Sequence, residues 1–190
     1  KPKTLLRDIF GFDEFRPGQR EIIDAVSSKK NVLAIMPTGG GKSLCFQLPA
    51  LMSEGLTVVI SPLIALMRDQ VRGLQAAGVA AGALTSGNTE DETDAVFSEI
   101  YAGTLKILYV APERLASSAM QSALFRFNVT SLVVDEAHCI SQWGHDFRPD
   151  YLRIGELRKS LGVPLAAFTA TADKETRKEI TERLFDGVAP

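Results

Sequence analysis

The sequence predicts an α/β domain with a doubly wound, mostly parallel sheet and helices on both faces. Apolar runs of strand length alternate with helical patterns, and most runs are apolar at nearly every position, as in strands covered on both faces. The strands are predicted at 31–36, 56–60, 80–84, 105–110, 131–135 and 164–169. The helices are predicted near 17–28, 42–54, 63–77, 90–102, 115–126, 150–161 and 173–186.

The helix predicted near 63–77 depends on one apolar stripe and on signals at its two ends. Ser61 is expected to cap its start, Pro62 to take its first position and Gly78 to end it. Apolar residues recur at steps of three and four along one face, namely Leu63, Leu66, Met67, Val71 and Leu74.

Length and composition indicate one soluble globular domain. The chain has 190 residues, 45% of them apolar and 23% charged. The formal charge of −2 gives no overall attraction for nucleic acid, so such binding needs a local patch or helix N-termini. Cys45 and Cys139 lie far apart, which indicates free thiols in a reducing compartment. No apolar run is long enough to predict a membrane span.

A glycine-rich segment joins the first predicted strand to the next helix. Its three consecutive glycines let the backbone bend around an anion, and the following helix N-terminus adds a favourable dipole. Lys42 would reach the β- and γ-phosphates of a nucleotide, and Ser43 would bind Mg²⁺. The alternative is a flexible glycine turn. This phosphate loop (residues 37–43) reads Pro37, Thr38, Gly39, Gly40, Gly41, Lys42 and Ser43, with Met36 where the general pattern has its first glycine.

Two acids follow the predicted strand at 131–135. Asp135 would hold Mg²⁺ through water, completing the octahedron begun by Ser43 and the phosphates. Glu136 would orient or deprotonate the attacking water. Two acids after a strand are otherwise most often a solvated strand end, and only the phosphate loop shifts the interpretation towards catalysis.

The run Asp135-Glu136-Ala137-His138 is the DEAH form of the superfamily 2 helicase box, and residues 12–19 resemble the adenine-recognition motif of RecQ-type helicases. The chain thus resembles, over residues 5–185, the first RecA-like motor lobe of the RecQ family. The resemblance implies that Gln19 reads the adenine edge, Arg16 lies beside the nucleotide and Phe12 stacks on the base where many relatives carry Tyr. Without it, Arg16 and Gln19 would be the exposed start of a helix.

Residues 141–149 resemble the aromatic-rich loop of RecQ helicases, and we call them the aromatic loop. Trp143 is the single tryptophan, with Phe147 and Arg148 close behind, a combination suited to stacking on single-stranded bases. The resemblance adds His145 to the DNA contacts and Gln142 to the coupling residues. The alternative is that Trp143 and Phe147 fill the core, although their polar neighbours would be unusual there.

His138 is interpreted as a link between the nucleotide site and the aromatic loop. His138, Cys139 and His145 do not indicate zinc, because no fourth ligand is evident nearby. The run 168–172 resembles the helicase motif that couples hydrolysis to movement, which implies that Thr169 and Thr171 bond towards the acids or His138. Alone, that run could equally be a strand end before a helix capped by Asp173.

Two further strand ends carry proline at an expected helix start. Ser61-Pro62 and the Pro112-Glu113-Arg114 segment would leave N–H groups facing outward, where they can bind DNA phosphates without base preference. Thr85, Ser86 and Gly87 could add hydroxyl contacts. As isolated features these are ordinary loop chemistry.

The resemblance implies an ATP- and Mg²⁺-dependent 3′–5′ DNA helicase of repair and recombination, acting on single-stranded and partly duplex DNA. Residues 1–190 are expected to be one lobe, with 1–28 recognising adenine and 29–190 forming the phosphate-loop core. We expect a fragment without the second motor lobe, zinc module or winged helix. It should be monomeric, cytoplasmic or nuclear, away from membranes, and largely inactive alone.

Other functions stay open at this point. An RNA helicase or other superfamily 2 remodelling ATPase would share the motor motifs, although the aromatic loop argues against it. A small-molecule phosphotransferase would need a lid and an acceptor pocket, and the sequence indicates neither. A catalytically silent binding module would keep the phosphate loop without turnover.

Overall fold

The structure, a computed structural model, describes residues 2–37, 41–170 and 173–190. Its sheet has six strands in the order β1-β6-β5-β2-β4-β3, and every pairing is parallel. The predicted parallel α/β fold is therefore confirmed. The strands are β1 (Val32–Ile35), β2 (Leu56–Ile60), β3 (Ala81–Leu84), β4 (Ile107–Val110), β5 (Val129–Val134) and β6 (Leu165–Thr169).

The described residues form α-helices at all the predicted places and one more at the start of the chain. They are α1 (Pro2–Phe10), α2 (Gln19–Ser27), α3 (Lys42–Met52), α4 (Ile64–Ala76), α5 (Glu90–Tyr101), α6 (Ser118–Arg126), α7 (Ile154–Leu161) and α8 (Lys174–Phe185). The extra helix, α1, is short and its only buried residue is Leu6, so it leaves no extended apolar stripe in the sequence. Helices α6 and α7 begin later than predicted because 3₁₀ turns at Pro112–Ala116 and Pro149–Arg153 precede them.

The predicted start of α4 is wrong. Leu63 is the N-cap, and Ser61 instead accepts a hydrogen bond from the Leu63 N–H at 3.4 Å, which places Pro62 in a turn before the helix. The predicted stripe is also too wide, since Leu63 and Leu66 are exposed and only Met67, Val71 and Leu74 are buried. The predicted end is confirmed, because Gly78 takes a left-handed φ of 86° directly after the helix.

Both faces of the sheet are buried, as the continuous apolar strands predict. Alternate residues of one strand pack into the two hydrophobic cores on opposite faces of the sheet. In β2, Val58 and Ile60 belong to one core and Val59 to the other. One core packs against α1–α4 and the other against α5–α8. None of the helices in the described residues is both long and apolar enough to cross a membrane.

The crossing of α7 and α8 depends on a glycine. A Cβ built on Gly155 of α7 would collide with the backbone carbonyl oxygen of Arg183 in α8. The two helices can therefore approach this closely only because residue 155 has no side chain. The contact fixes α8, which carries several groups next to the candidate site described below.

We expect Gly155→Ala to destabilise the domain by about 1–3 kcal/mol, because the backbone of α8 must shift to admit the methyl group. Gly73→Ala is the matched control, since Gly73 also lies inside a helix but a Cβ there meets nothing within 4 Å. The control should gain about 0.4–1 kcal/mol. Urea unfolding followed by circular dichroism measures both, and equal stabilities for the two variants would contradict the close crossing.

Candidate functional site

The carboxyl ends of three neighbouring strands bring the predicted site together. Strand β6 lies between β1 and β5, so the segments that follow these strands meet at one edge of the sheet. The Met36 N–H, just after β1, donates to the Thr169 carbonyl at the end of β6 at 3.0 Å. Asp135 and Glu136 follow β5 directly.

Lys42 contacts both acids. Its Nζ lies 3.1 Å from Asp135 Oδ1 and 3.1 Å from Glu136 Oε1, although the segments are far apart in sequence. Lys42 is the first residue of α3, Ser43 is the second, and Gly41 before them has a left-handed φ of 77°. The predicted contact between the phosphate loop and the acidic pair is present. Thr38, Gly39 and Gly40 lie outside the described residues.

Burial and charge act against each other in this cluster. Burial lowers the pKa of Lys42, but Asp135 and Glu136 outweigh it, so the pKa of Lys42 is raised overall. Burial raises the pKa of Asp135, whose side chain is 5% exposed, and Lys42 opposes part of that rise. The ammonium group therefore stays charged and compensates a carboxylate that has little access to water.

Glu136 has an unusual backbone conformation. Its φ is 54°, in the left-handed region that a residue with a side chain enters at a cost of about 1–2 kcal/mol. Its N–H donates to Asp135 Oδ1 at 3.0 Å, which ties the two acids together. The bend turns the Glu136 carboxylate towards Lys42. Strain of this kind is typical of functional sites.

The N-terminal segment touches the phosphate loop through Gln19. Gln19 is 3% exposed; its Nε2 donates to the Gly41 carbonyl at 3.1 Å, and its Oε1 accepts from the Arg16 N–H at 2.7 Å. A Cβ on Gly41 would collide with that amide group. The structure thus places Arg16 and Gln19 beside the loop, while Phe12 is 54% exposed. Sequence reasoning missed the bond from Gln19 to Gly41.

His138 connects three segments. Its Nδ1 lies 2.9 Å from Thr169 Oγ1, and its Nε2 lies 3.4 Å from Glu136 Oε2 and 3.5 Å from Asp146 Oδ2. The expected contact between Thr169 and His138 is therefore present, and His138 lies between the acids and the aromatic loop. Thr171 lies outside the described residues.

The aromatic loop is held at both ends. We call residues 141–142 its first stem and Arg148 its second stem. Trp143 is 89% exposed, which rules out a core role for it, and Phe147 is partly buried. The second stem is held where the Arg148 N–H donates to the Cys139 carbonyl at 2.9 Å. Gln142 does not face the acids: its N–H donates to Glu179 of α8 at 3.2 Å, and its side chain accepts from Arg183 at 3.3 Å.

A groove of about 530 Å³ runs between the acids and the aromatic loop. Pro62 and Leu63 after β2, and Pro112 and Glu113 after β4, form one part of its lining. The rest comes from Glu136, His138, Cys139 and residues 145–150. His145, Phe147 and Arg148 therefore line one surface that begins at the Glu136 carboxylate.

Two expected DNA contacts are placed differently from the prediction. Ser61 is 2% exposed and its N–H donates to the Val110 carbonyl at 3.3 Å, so it has no outward donor. The Arg114 guanidinium donates to the Thr85 carbonyl at 3.0 Å. Thr85 is itself buried, which leaves Ser86 as the exposed hydroxyl of residues 85–87.

Neither cysteine is part of a metal site in the described residues. Cys45 and Cys139 are free and buried, and burial raises the pKa of Cys45 to about 12 and that of Cys139 to about 11. Within the described ranges, no three His, Cys, Asp or Glu side chains converge well enough to hold a metal ion. Ser43 and Asp135 would need phosphate and water oxygens to complete a Mg²⁺ site.

Comparisons with known proteins agree with this geometry. The sequence matches the DEAD/DEAH box helicase family over residues 16–180. It is 49% identical to the ATP-dependent DNA helicase RecQ of Pasteurella multocida, over 95% of this chain and 29% of that protein. It is 47% identical to RecQ of Synechocystis, over 96% of this chain and 40% of that protein. The chain thus spans well under half the length of these relatives.

The fold has counterparts among solved structures. The crystal structure of the DUF1998 helicase MrfA bound to DNA aligns with a TM-score of 0.76 at 19% identity, covering 98% of this chain and 26% of that one. At this identity the likeness concerns the fold alone.

We expect Lys42→Met to destabilise the protein by about 2 kcal/mol near neutral pH, because the buried Asp135 loses its charged partner. The pKa of Asp135, already raised by burial, rises further in the folded state. A folded-state pKa above the unfolded value favours folding at low pH and disfavours it as pH rises through the folded value. The loss should therefore be larger at about pH 8 than at about pH 5.

Urea unfolding at the two pH values measures this difference. Lys3→Met is the control, because the Lys3–Glu14 pair is exposed and should contribute below about 1 kcal/mol. A Lys42→Met penalty that stays constant between the two pH values would contradict the assigned pairing with Asp135.

Proposed function

Because this chain belongs to the DEAD/DEAH box helicase family, we propose that it is the ATP-binding motor lobe of a RecQ-type 3′–5′ DNA helicase. The observation that supports this most directly is the position of Lys42, 3.1 Å from both Asp135 and Glu136 at the N-terminus of α3. A triphosphate bound there would meet a lysine, helix N–H groups and two acids together. In this proposal residues 29–190 are the phosphate-loop core, residues 1–28 recognise adenine, and a second lobe completes the motor.

The roles of the central residues follow from their contacts. Phosphates would draw Lys42 away from the acids, which frees Glu136 to orient or deprotonate the attacking water. Mg²⁺, when bound, would neutralise phosphate charge, and Ser43 and Asp135 would hold it. Backbone donors would come from Gly41 and from Thr38, Gly39 and Gly40, which lie outside the described residues.

The N-terminal segment would complete the nucleotide site. Gln19 contacts the Gly41 carbonyl, so a group that reads adenine would also fix the backbone of the phosphate loop. Arg16 lies on the same turn, and the exposed ring of Phe12 is available to stack on the base. Adenine contact and phosphate contact would then depend on each other.

Coupling between nucleotide and DNA would run through His138. It contacts Glu136 on one side and Asp146 of the aromatic loop on the other, with Thr169 behind it. DNA stacked on Trp143 and lying along His145, Phe147 and Arg148 would change the position of this loop. Pro62, Leu63, Pro112 and Glu113 line the other side of the same groove, where a DNA strand could lie. Arg114 follows directly in sequence, but its N–H donates to the Ala111 carbonyl at 3.0 Å and its guanidinium to the Thr85 carbonyl.

A DNA substrate is favoured over RNA. The relatives described above are DNA helicases by name, which gives no support to the alternative of an RNA helicase or remodelling ATPase. The proposed partners are single-stranded and partly duplex DNA. The net charge of −2 is consistent with binding through a local surface instead of a general positive field.

We expect this chain to bind an ATP analogue in the presence of Mg²⁺, and Lys42→Ala to weaken that binding by about tenfold or more, because phosphate loses its ammonium partner. Isothermal titration measures the affinity. Lys30→Ala is the control, since Lys30 is exposed and lies just before β1, at the end of the strand away from the site. The chain alone should not separate DNA strands, and robust unwinding by it would contradict the need for a second lobe.

We expect Trp143→Ala to weaken binding of a labelled single-stranded DNA by about 1–3 kcal/mol, the usual contribution of one stacked base. Trp143→Phe should restore most of this, because a smaller ring still stacks. Fluorescence anisotropy measures both, with an RNA of the same sequence as a comparison. Equal affinity of Trp143→Ala and the wild type for DNA would remove the aromatic loop from the proposed interface.

A further inference from the structure

The first stem of the aromatic loop is held by a carboxylate of α8. Ser141 Oγ donates to Glu179 Oε1 at 2.7 Å, and the Gln142 N–H donates to Glu179 Oε2 at 3.2 Å. Both oxygens of Glu179 are thus used by two consecutive residues. Ser141 is 4% exposed, so the shorter bond is shielded from water on its donor side. Hydrogen bonds to an ionised acceptor are about twice as strong as neutral ones.

Helix α8 is a rigid support for this contact. Its N-cap Asp173 accepts from the Thr176 N–H at 2.7 Å. Further along, Ile180 and Leu184 are fully buried in the core cluster that also contains Ala137 and Ile140. The close crossing at Gly155 fixes the far end of the helix. The backbone at Glu179 therefore cannot shift without moving a packed element.

Two contacts enclose the short turn Ala137–Ile140 between the acids and the aromatic loop. Within this turn, His138 contacts Thr169 at the end of β6. Directly after the turn, Ser141 and Gln142 contact Glu179. Both partners belong to the chain that leaves β6 and enters α8. The segment after β5 is thus joined to the segment after β6 at two points, one towards Glu136 and one towards Trp143.

Trp143 follows the second point directly and is 89% exposed. Its position depends on the stems, because little of its own surface contacts the rest of the protein. Arg183 of α8 adds a longer bond of 3.3 Å to the Gln142 side chain, on the same side as Glu179. The carboxylate of Glu179 holds both a side chain, that of Ser141, and a backbone N–H, that of Gln142.

We propose that Glu179 is a positioning residue that holds the aromatic loop against α8, and so determines how strongly DNA at Trp143 stimulates ATP turnover. The first half stands on the geometry; the second half rests on the proposed helicase function. Glu179 contacts neither nucleotide nor DNA in this proposal. It acts by holding Ser141 and Gln142, the first stem of the loop, against α8.

The first test uses this chain alone and needs no activity. We expect Glu179→Ala to speed amide hydrogen exchange at Gln142 and to lower the fluorescence anisotropy of Trp143, the only tryptophan in the sequence. Glu182→Ala is the matched control, because Glu182 is an exposed glutamate of the same helix. Glu179→Gln, which keeps one acceptor oxygen, should fall between. Unchanged exchange and anisotropy in Glu179→Ala would overturn the positioning role.

Loss of folding is separated from loss of the contact by two observations. Amide exchange in β2 and β5 should stay as in the wild type, since the bonds of Glu179 go to Ser141 and Gln142, beyond the end of β5. Ser141→Ala, which removes a single hydroxyl, should increase Gln142 exchange in the same direction and to a smaller extent. If exchange rises equally throughout Glu179→Ala, and Ser141→Ala changes nothing, Glu179 has only a general stabilising effect and the proposal fails.

The second test measures ATP turnover in a helicase that contains this lobe together with its second lobe. We expect Glu179→Ala to keep basal turnover but to reduce stimulation by single-stranded DNA by about fivefold or more, the lower range of ordinary coupling between sites. A parallel fall in basal turnover, or full stimulation, would overturn the coupling role. A wild-type protein without DNA-stimulated turnover would instead disprove the proposed function, while the exchange result would still decide the contact.

Discussion

The contact of Lys42 with Asp135 and Glu136 is the interaction on which the site depends, and the sheet makes it possible. Strand order places β6 between β1 and β5, so the loop before α3 and the acids after β5 reach the same edge. A carboxylate as buried as Asp135 would be costly alone. The charge of Lys42 compensates that of the carboxylate, and the Glu136 N–H donates a further hydrogen bond to the same oxygen, Oδ1. Any ligand that takes Lys42 must replace this compensation, which phosphate with a bound cation would do.

Sequence periodicity predicted the sheet and most helices because both faces of the strands are buried, and buried strands are recognisable as continuous apolar runs. It failed where the local geometry is not periodic. The α4 start was placed at Ser61 because serine before proline is typical of a helix cap, yet the Ser61 hydroxyl closes a turn onto Leu63. The close approach at Gly155 had no signal either, since a glycine inside a helix looks the same whether or not another backbone lies against it.

In the candidate site too, some features have a signal in the sequence and others do not. Motifs predicted which segments meet, because the ends of parallel strands converge, and they located Lys42, Asp135 and Glu136. They did not show that Gln142 faces α8 or that Glu179 holds the aromatic loop. Glu179 is separated from Ser141 by 38 residues, and in sequence it is indistinguishable from the solvated glutamates Glu175 and Glu182 of the same helix. Contacts between a loop and a helix surface depend on how α8 is rotated, which only the packed core determines.

Trp143 stays exposed because the residues on both sides of it in the aromatic loop are bonded to the rest of the protein. A tryptophan left in water forgoes a burial free energy of a few kcal/mol, and a loop free to collapse would cover it. Here one stem is bonded to Glu179 and the other to the Cys139 carbonyl, while Asp146 contacts His138. The ring is therefore held out from the surface by contacts that also reach Glu136 and Thr169. Because these contacts join the loop to His138 and to α8, a stacked base that shifts the loop would also displace one of these two partners. His138 contacts Glu136, and α8 follows β6 in the chain.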